Sequence, residues 1–596
     1  MKKLLMGNEA IAYGAVEAGV RVATAYPGTP SSEVFAALAA MAKENGIYAE
    51  WSINEKAALE VAAGAAYAGA RAMVTMKQVG LNVAADPLMT LAYIGVKGGL
   101  VLVVADDPGP HSSQNEQDTR KFAQLAKLPV LDPAAPQEAK DMTVAAFDIS
   151  EELGLPVILR PTTRTCHVCQ DVELGEQKNT PEPPGFAKDS RWVIFPSLAF
   201  KRHRWLNKQQ EAARNILESL PFNSSEYAEG DVGVVACGVA YNYVKEALGI
   251  LGVEVSVLKI GTPYPLPEKL ALKFLQRHRQ VLVVEEQEPV VEDQLINLTW
   301  SNGLPLKLSG KRGGYIPREG ELDVDKVLSA LAKFIGTELP RKQENEVLPP
   351  MPLRTPVLCA GCPHRASFYA FKQAAGNDAI FTGDIGCYTL GNMPPLNAMD
   401  TCLCMGASIT IASGLYRVEP ERKIAAFLGD STFFHTGIAG LVNAVHNKAN
   451  ITVVILDNRS TAMTGHQPHP GLEWTATGEP TNGLDITKIV KACGVEMVRV
   501  VDPYDLETAK QAAGEALDFN GPAVVIMRRE CAALTRKRQA LRQVDLETCV
   551  GCGMCIDELG CPAIIKQDGL PVITNTCTGC GVCSQICPTG AIREVR

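Results

Sequence analysis

Between residues 549 and 587 the chain carries eight of its 18 cysteines, in two runs that read Cys549-x2-Cys552-x2-Cys555-x5-Cys561-Pro562 and Cys577-x2-Cys580-x2-Cys583-x3-Cys587-Pro588. Three thiolates at x2 spacing wrap an iron–sulfur cubane corner by corner, while the cysteine before proline points away toward a second cluster. The ligand sets that follow are Cys549, Cys552, Cys555 and Cys587 for one 4Fe-4S cluster, and Cys577, Cys580, Cys583 and Cys561 for the other. CxxC pairs also serve tetrathiolate zinc, but a tandem CxxCxxC with a following CP is not what tetrahedral zinc needs. Clusters of this kind carry electrons one at a time, so oxidoreductase chemistry or electron delivery is fixed before any substrate is known.

The second run has the spacing of bacterial two-cluster ferredoxins, and the first is the same run with two extra residues before its last cysteine. At 596 residues the chain exceeds what one hydrophobic core organises, and roughly three to five domains are expected. With 46% hydrophobic and 21% charged residues, 51 Gly and 38 Pro, it has the profile of an α/β enzyme that folds and stays in solution. The 57 Lys+Arg against 66 Asp+Glu leave a net charge of -9, which disfavours a nucleic-acid binder or a polybasic membrane-surface protein. Small molecules and proteins remain as partners. No uncharged apolar run reaches the about 18 residues of a membrane span, since Lys97 and Asp106 bracket even Leu100 to Val104. Met1-Lys2-Lys3-Leu4-Leu5 opens like a secretory signal, but Asn8 and Glu9 end the apolar region and no small-residue cleavage site follows. A cytoplasmic location is expected, and there so many cysteines point to metal or redox chemistry rather than disulfides.

From Arg21 onward, β-rich and helical runs alternate: Val22 to Tyr26, Ser32 to Lys43, Tyr48 to Ser52, Glu55 to Arg71, Met73 to Met76 and Leu100 to Ala105. Such alternation reads as βαβ units on a parallel sheet. The helix from Glu55 is mostly Ala and Gly; Gly64 and Gly69 lower its own stability but let another backbone approach, so burial at an interface is expected. Residues 1–180 form the first domain, and Pro181 to Pro184 with the irregular segment through Asn223 read as a linker over 181–230. A second α/β unit over 231–340 has strands expected at Val232 to Cys237, Val253 to Leu258 and Gln280 to Glu285. Charged and Pro-rich residues Glu338 to Pro356 form the next linker, a third α/β block occupies 355–535, and the basic connector Arg536-Lys537-Arg538 leads to a tail domain over 540–596. The first and third blocks are candidates for a structurally related pair.

In the third block, Ile424 to Leu428 reads as a buried strand ending in Gly429-Asp430-Ser431, a helix follows from about Gly437 to Asn447, and a second strand, Ile451 to Leu456, ends in Asp457-Asn458-Arg459-Ser460. Both polar clusters sit at the carboxyl ends of parallel strands, where open α/β sheets bind ligands. Turn chemistry alone also places Asp, Asn and Gly there. The arrangement resembles the thiamine diphosphate motif, Gly-Asp-Gly followed one helix and one strand later by Asn, with Ser431 in place of the second Gly. Magnesium takes octahedral oxygen ligands shared between protein and phosphate; Asp430, the side-chain carbonyl of Asn458 and the backbone carbonyl of Ser460 are the expected protein donors. Gly429 would let the backbone approach the diphosphate, and Thr464-Gly465-His466-Gln467 nearby strengthen the cofactor reading.

A thiamine enzyme also needs a carboxylate against the aminopyrimidine, because protonating the ring nitrogen lets the exocyclic amine, as its imino tautomer, take the thiazolium proton. Glu55, opening the small-residue helix in Asn54-Glu55-Lys56-Ala57-Ala58, is the candidate; a first-turn Glu that merely complements the helix dipole is the alternative. Tyr26-Pro27-Gly28-Thr29-Pro30-Ser31-Ser32 lies between a strand and a helix, which places Thr29 to meet a substrate carboxylate, while Ser31 or Ser32 can serve as N-cap. His111, Gln114 and Asn115, after Asp106-Asp107, are further pocket candidates.

With the string Leu358-Cys359-Ala360-Gly361-Cys362-Pro363-His364-Arg365 added, the chain resembles the alpha subunits of indolepyruvate ferredoxin oxidoreductases, within the thiamine diphosphate-dependent 2-oxoacid:ferredoxin oxidoreductase family, over essentially its whole length. The carriers are Tyr26 to Ser32, Asn54 to Ala58, Cys359 to Arg365, Gly383 to Tyr388, Asp457 to Gln467 and the tail. The resemblance implies an α/β fold with two thiamine diphosphate-binding parallel-sheet domains, pyrimidine-binding at 1–180 and diphosphate- and magnesium-binding at 355–535. Between them it implies a transketolase C-terminal-like α/β domain at 231–340, and at 540–596 a ferredoxin-like domain with two 4Fe-4S clusters. It further implies coenzyme A as co-substrate, ferredoxin as acceptor, and a smaller beta subunit in an α2β2 hetero-oligomer. The reaction implied is oxidative decarboxylation of aryl pyruvates to aryl-acetyl-CoA and CO2, a step of amino-acid catabolism. Related enzymes of pyruvate, 2-oxoglutarate or phenylglyoxylate are the nearest alternatives. A non-oxidative thiamine decarboxylase would have no use for the clusters, and intact Glu55, Asp430 and Asn458 argue against a non-catalytic electron-transfer subunit.

Electrons leaving the thiamine ring must reach a tail attached by a flexible connector, so a fixed relay beside the cofactor is expected. Cys359-x2-Cys362 supplies two ligands, Cys387 sits on a strand-end loop and Cys531 follows the strand Ala523 to Met527. These positions resemble the proximal-cluster ligands of the wider family, which favours Cys531 over Cys402 or Cys404 for a third 4Fe-4S cluster; CxxC alone would equally suit a zinc knuckle. Cys166-x2-Cys169 reads as a loop, and Cys237 and Cys493 as small buried hydrophobes.

Overall fold

The computed structural model describes residues 1–178, 180–339, 351–352, 355–535 and 539–595, in two units, Met1–Leu348 and Pro349–Arg596. Most of the linker expected over Glu338 to Pro356, and the whole Arg536-Lys537-Arg538 connector, lie outside the described residues.

In the first unit, six parallel strands lie in the order Tyr48–Trp51, Val22–Ala25, Ala72–Lys77, Leu100–Ala105, Val157–Leu159 and Val130–Leu131. Ala72–Lys77 and Leu100–Ala105 are buried along their whole length, as strands covered on both faces by helices must be. Val22–Ala25 is flanked by the strand that follows it and by the next one after that. The sheet order therefore reverses beside it, and such a switch point opens a ligand crevice at the carboxyl ends of the strands. The helix Glu55–Tyr67 buries Ala58, Leu59, Ala62, Ala63 and Ala66. A Cβ at Gly64 would meet nothing within 4 Å, whereas one at Gly69, just past the helix, would stand 2.7 Å from Pro184 Cδ, so of the two glycines only Gly69 makes the expected close approach.

A second sheet of the same unit runs Lys307–Ser309, Gln280–Val284, Val232–Cys237, Ser256–Ile260, Ser224–Glu226, parallel except for its last edge. The strand expected at Val253 to Leu258 is thus found at Ser256–Ile260. Residues 181–230 are not irregular throughout: they contain the helix Pro196–Glu218, packed on the helices Ala85–Ile94 and Pro136–Leu153, and the edge strand. Cys166 and Cys169 are not in a loop either. Cys166 is buried in the helix Thr163–His167, and Cys169 starts the strand Cys169–Glu173, which pairs antiparallel with Lys2–Met6. Fully buried guanidiniums tie the two sheets: Arg120 contacts Asp118 and Glu285 at 2.7 and 2.8 Å, and Arg160, paired with Asp106 and Asp132 at 2.7 and 2.9 Å, also donates to Gln287 Oε1. Cys237 belongs to this ionic cluster, with Asp132 Oδ2 3.7 Å from its sulfur, rather than being a plain apolar filler. Cys493 is only partly buried.

The second unit centres on five parallel strands in the order Ile380–Thr382, Ile424–Gly429, Thr452–Asp457, Ala523–Arg528, Met497–Val501. Omitting the edge strand Tyr48–Trp51, the first sheet has the same order, which supports the expected kinship of the first and third blocks. The tail is not tethered loosely. Leu559, Ile564, Val582, Ile586 and Ile592 pack with Leu506 and with Ala366 and Tyr369 of the helix Pro363–Ala375. Arg365 donates to the carbonyls of Leu559 and Gly560 at 2.8 and 2.6 Å. Among the described residues, no helix is long and apolar enough to cross a membrane.

Candidate functional site

The strand Ile424–Gly429 runs directly into Asp430, and the chain continues through a π-helical turn, Phe433–Gly437, before the regular helix Ile438–His446; such turns are frequent at functional sites. Gly429 is required by its neighbour, because a Cβ there would stand 2.7 Å from the Tyr388 ring. Asp430 is 2% exposed. Its Oδ1 accepts from the Ser431 N–H at 2.8 Å, and its Oδ2 accepts from the Ser460 N–H at 3.3 Å and lies 3.0 Å from His469 Nε2. Asn458 Oδ1 accepts from the same Ser460 N–H at 3.2 Å, and Asn458 Nδ2 lies 3.3 Å from His364 Nε2. Asp430, Asn458 and Ser460 therefore converge on one backbone amide.

Burial pushes the Asp430 carboxyl up, but His469 and the Ser431 N–H outweigh it and hold the group below the usual carboxylate range. Burial drives the His364 imidazole down to about 4. Neutral, its Nε2 accepts the Asn458 amide proton and fixes which way the Asn458 oxygen points. The following loop closes over this network: Thr461 Oγ1 donates to Ser431 Oγ at 3.0 Å, Ser460 Oγ is 3.2 Å from His466 Nδ1, and Thr464 and Gln467 bond each other at 2.6 Å around Gly465, whose φ is +120°. A carboxylate and an amide oxygen at the ends of neighbouring strands are the hard donors that magnesium takes, so these residues fit a metal-bound diphosphate. His364 and His469 carried no sequence-based role. The signals were the string Cys359 to Arg365, which contains His364, and the doublet His466-x2-His469.

The thiols assemble as sets around voids. Cys549, Cys552, Cys555 and Cys587 line one small cavity, and Cys561, Cys577, Cys580 and Cys583 line another. Each set takes its fourth member from the other run. Cys387 lies within electrostatic reach of Cys531 and Cys359, and Cys362 of Cys387 and Cys359. The Cys531 N–H donates to the Asn458 carbonyl at 3.0 Å, one residue from the Asp430 network. Cys402 and Cys404 are exposed and outside this set. Burial pushes the Cys362 and Cys583 thiols up to about 12 and the Cys387 and Cys555 thiols up to about 11, so loading a cluster must displace protons. Four thiols around a cavity suit a cubane, and the residues fit. Asp384, another residue without a sequence-based role, fixes the Cys387 loop by accepting from the N–H groups of Ile385, Gly406 and Ser408 at 2.8, 2.9 and 3.2 Å.

In the first unit, Asn54 caps the helix by accepting from the Ala57 N–H at 2.9 Å. Glu55, at 6% exposure, is not a solvated first-turn acid; a Cβ on Gly80 would stand 2.4 Å from its Oε1. Ser31 occupies the N-cap position, but its Oγ donates to the Gly28 carbonyl at 2.8 Å and the Gly28 N–H donates to Ser32 Oγ at 2.9 Å, so both side chains close the turn and neither bonds the helix amides. The Thr29 carbonyl accepts from Ser112 Oγ at 3.0 Å. His111 pairs with Glu321 at 3.2 Å, and Gln114 and Asn115 are exposed. Asp107 is buried instead, while Ser112 is exposed.

Three family models match the chain: "Pyruvate flavodoxin/ferredoxin oxidoreductase, thiamine diP-bdg" over residues 13–195, "Thiamine pyrophosphate enzyme, C-terminal TPP binding domain" over 384–527, and "4Fe-4S binding domain" over 570–593. The indolepyruvate oxidoreductase subunit IorA of Pyrococcus abyssi is 46% identical, across 100% of this chain and 97% of that protein. That of Archaeoglobus fulgidus is 44% identical across 100% and 98%. The 2-oxoglutarate synthase subunit KorA of Methanothermobacter marburgensis is 23% identical, across 47% of this chain and 87% of that protein.

Proposed function

The chain belongs to the family of the indolepyruvate oxidoreductase subunit IorA, and on that premise we propose that it is the catalytic alpha subunit of an enzyme that decarboxylates aryl pyruvates oxidatively. Coenzyme A takes up the acyl group as aryl-acetyl-CoA and ferredoxin the electrons. Magnesium held by Asp430, Asn458 and Ser460 anchors the diphosphate, with Ser431, Thr464, Gly465 and His466 around it. Bound there, thiamine diphosphate supplies the carbon nucleophile and electron sink that decarboxylation of a 2-oxoacid requires. Glu55 holds a proton at the pyrimidine nitrogen, and Thr29 lies beside the substrate. Cys359, Cys362, Cys387 and Cys531 hold a relay cluster, and the two tail sets hold the outgoing pair. A smaller beta subunit completes an α2β2 enzyme of amino-acid catabolism, in the cytoplasm, whose reducing conditions keep the thiols free for clusters.

One observation carries this reading. The short segment Cys359–Arg365 reaches three places at once: its cysteines adjoin Cys387, His364 bonds Asn458 at 3.3 Å, and Arg365 bonds the carbonyls just before Cys561. Seven consecutive residues thus reach Asn458, the Cys387 loop and the tail, which supports a route from cofactor through relay to tail. The test is a panel of 2-oxoacids given to the enzyme co-expressed with its smaller subunit, with coenzyme A, following ferredoxin or viologen reduction. Aryl pyruvates are expected to exceed pyruvate by about tenfold in kcat/KM, roughly 1.4 kcal/mol; equal or better turnover of pyruvate defeats the aryl assignment.

A further inference from the structure

Lys77 ends the strand Ala72–Lys77, beside Val22–Ala25 and hence at the switch-point crevice of the first sheet. It is 9% exposed. A Cβ on Gly28 would stand 2.9 Å from both Cγ and Cδ of Lys77, so only glycine lets the Tyr26 to Ser32 turn close over the lysine stem. The ammonium donates to the Ser112 carbonyl at 3.1 Å, and the Ser112 hydroxyl donates to the Thr29 carbonyl at 3.0 Å. The charged head therefore lies where the turn carrying Thr29 meets the loop after Leu100–Ala105.

Lys77 forms no ion pair among the described residues. The charges acting on it are Asp107 and Glu55, and burial outweighs both, pulling its pKa down to about 8. An ammonium has three donors, and one carbonyl leaves two of them for something else. The next residue, Gln78, is 1% exposed, and neither its Nε2 nor its Oε1 has a partner. Buried polar groups are rarely left so, and two neighbours in the chain share the same deficit at a crevice where a ligand is due. A carboxylate would pair with the cation and accept from Gln78 Nε2, leaving only the acceptor Oε1 without a partner.

We propose that Lys77 and Gln78 bind the carboxylate of the 2-oxoacid substrate, the ammonium pairing with it and the Gln78 amide donating beside it. The proposal rests on the reading of the chain as a 2-oxoacid oxidoreductase. The cofactor's diphosphate is assigned to the Asp430 network; of the remaining anions, coenzyme A carries phosphates and the 2-oxoacid a carboxylate, and it is the carboxylate that is assigned to Lys77.

The test uses the cofactor-loaded enzyme with its partner subunit, as wild type, Lys77→Met, Lys77→Arg and Gln78→Leu. KM and kcat are measured with phenylpyruvate, and inhibition is compared for 3-phenylpropionate and its uncharged amide. Lys77→Met should raise KM at least ~10-fold with kcat within ~3-fold, the signature of lost uniform binding, and should abolish the preference for the acid inhibitor. Lys77→Arg should restore both, and Gln78→Leu should raise KM by a smaller factor, with iron content and thermal midpoint unchanged throughout. Wild-type turnover with unchanged KM and inhibitor preference in Lys77→Met would overturn this proposal alone. So would a fall in kcat and thermal midpoint that arginine does not rescue, which is what a mere tie to Ser112 predicts. A wild-type enzyme that turns over no 2-oxoacid would overturn the functional reading and this proposal with it.

Discussion

The first and third sheets share a strand order but end in opposite chemistry. At the carboxyl edge of the first stand a buried carboxylate, Glu55, opening the helix after Tyr48–Trp51, and a buried ammonium, Lys77, ending Ala72–Lys77, with Val22–Ala25 between those two strands. At the same edge of the third, Asp430 and Asn458 converge on the Ser460 amide. The scaffold decides where ligands go and the loops decide which ones. In this account the third sheet retains the cofactor while the first governs its reactivity and recognises the substrate, so lesions on the two sides should fail differently.

The largest effect is expected at Asp430. Asp430→Asn removes the charged metal ligand; bound thiamine diphosphate should fall below about a tenth of the wild-type content and activity by at least ~1000-fold. Glu55→Gln should keep the cofactor, since diphosphate and metal hold it, yet lower kcat by at least ~100-fold, about 2.7 kcal/mol. Activity within about threefold of wild type, less than roughly 0.7 kcal/mol, would remove Glu55 from the chemistry. If Glu55→Gln lost the cofactor and Asp430→Asn kept it, the division of labour would be reversed.

A smaller effect sharpens the first-sheet half. Lys77 holds its proton below about 8 and loses it above, so carboxylate binding should be strongest on the acid side and KM should climb several-fold as pH passes that value. Asp107 and Glu55 are the charged groups that act on it. In Lys77→Arg the climb should vanish up to pH ~9, because a guanidinium stays charged there. A profile that is the same in both enzymes would assign the pH dependence to another group.

What the sequence disclosed divides along the range of each interaction. The tail sets and the Asp430 to Asn458 motif were legible because their ligands repeat at short spacings or stand at the ends of strongly apolar strands. His364 and His469 were not, because they meet Asn458 and Asp430 across 94 and 39 residues of chain. The helix Pro196–Glu218 escaped notice for a physical reason: only Leu206, Ala213 and Leu217 are buried, a stripe too thin for a helical period to show. Lys77, one residue past the expected strand Met73 to Met76, carries no sequence-based role, and only the sheet order puts it at the switch point. The tail's docking by Arg365 was likewise invisible, since its partners are backbone carbonyls that no residue pattern marks.

The central claim is that electrons pass from the cofactor site to the tail through a fixed relay held by Cys359, Cys362, Cys387 and Cys531. It is tested most directly by iron and acid-labile sulfide analysis of the chain lacking residues 545–596, purified anaerobically beside the full chain. About twelve irons are expected in the full chain and about four in the truncated one, matched by sulfide; zinc or no metal in the truncated chain would rule the relay out.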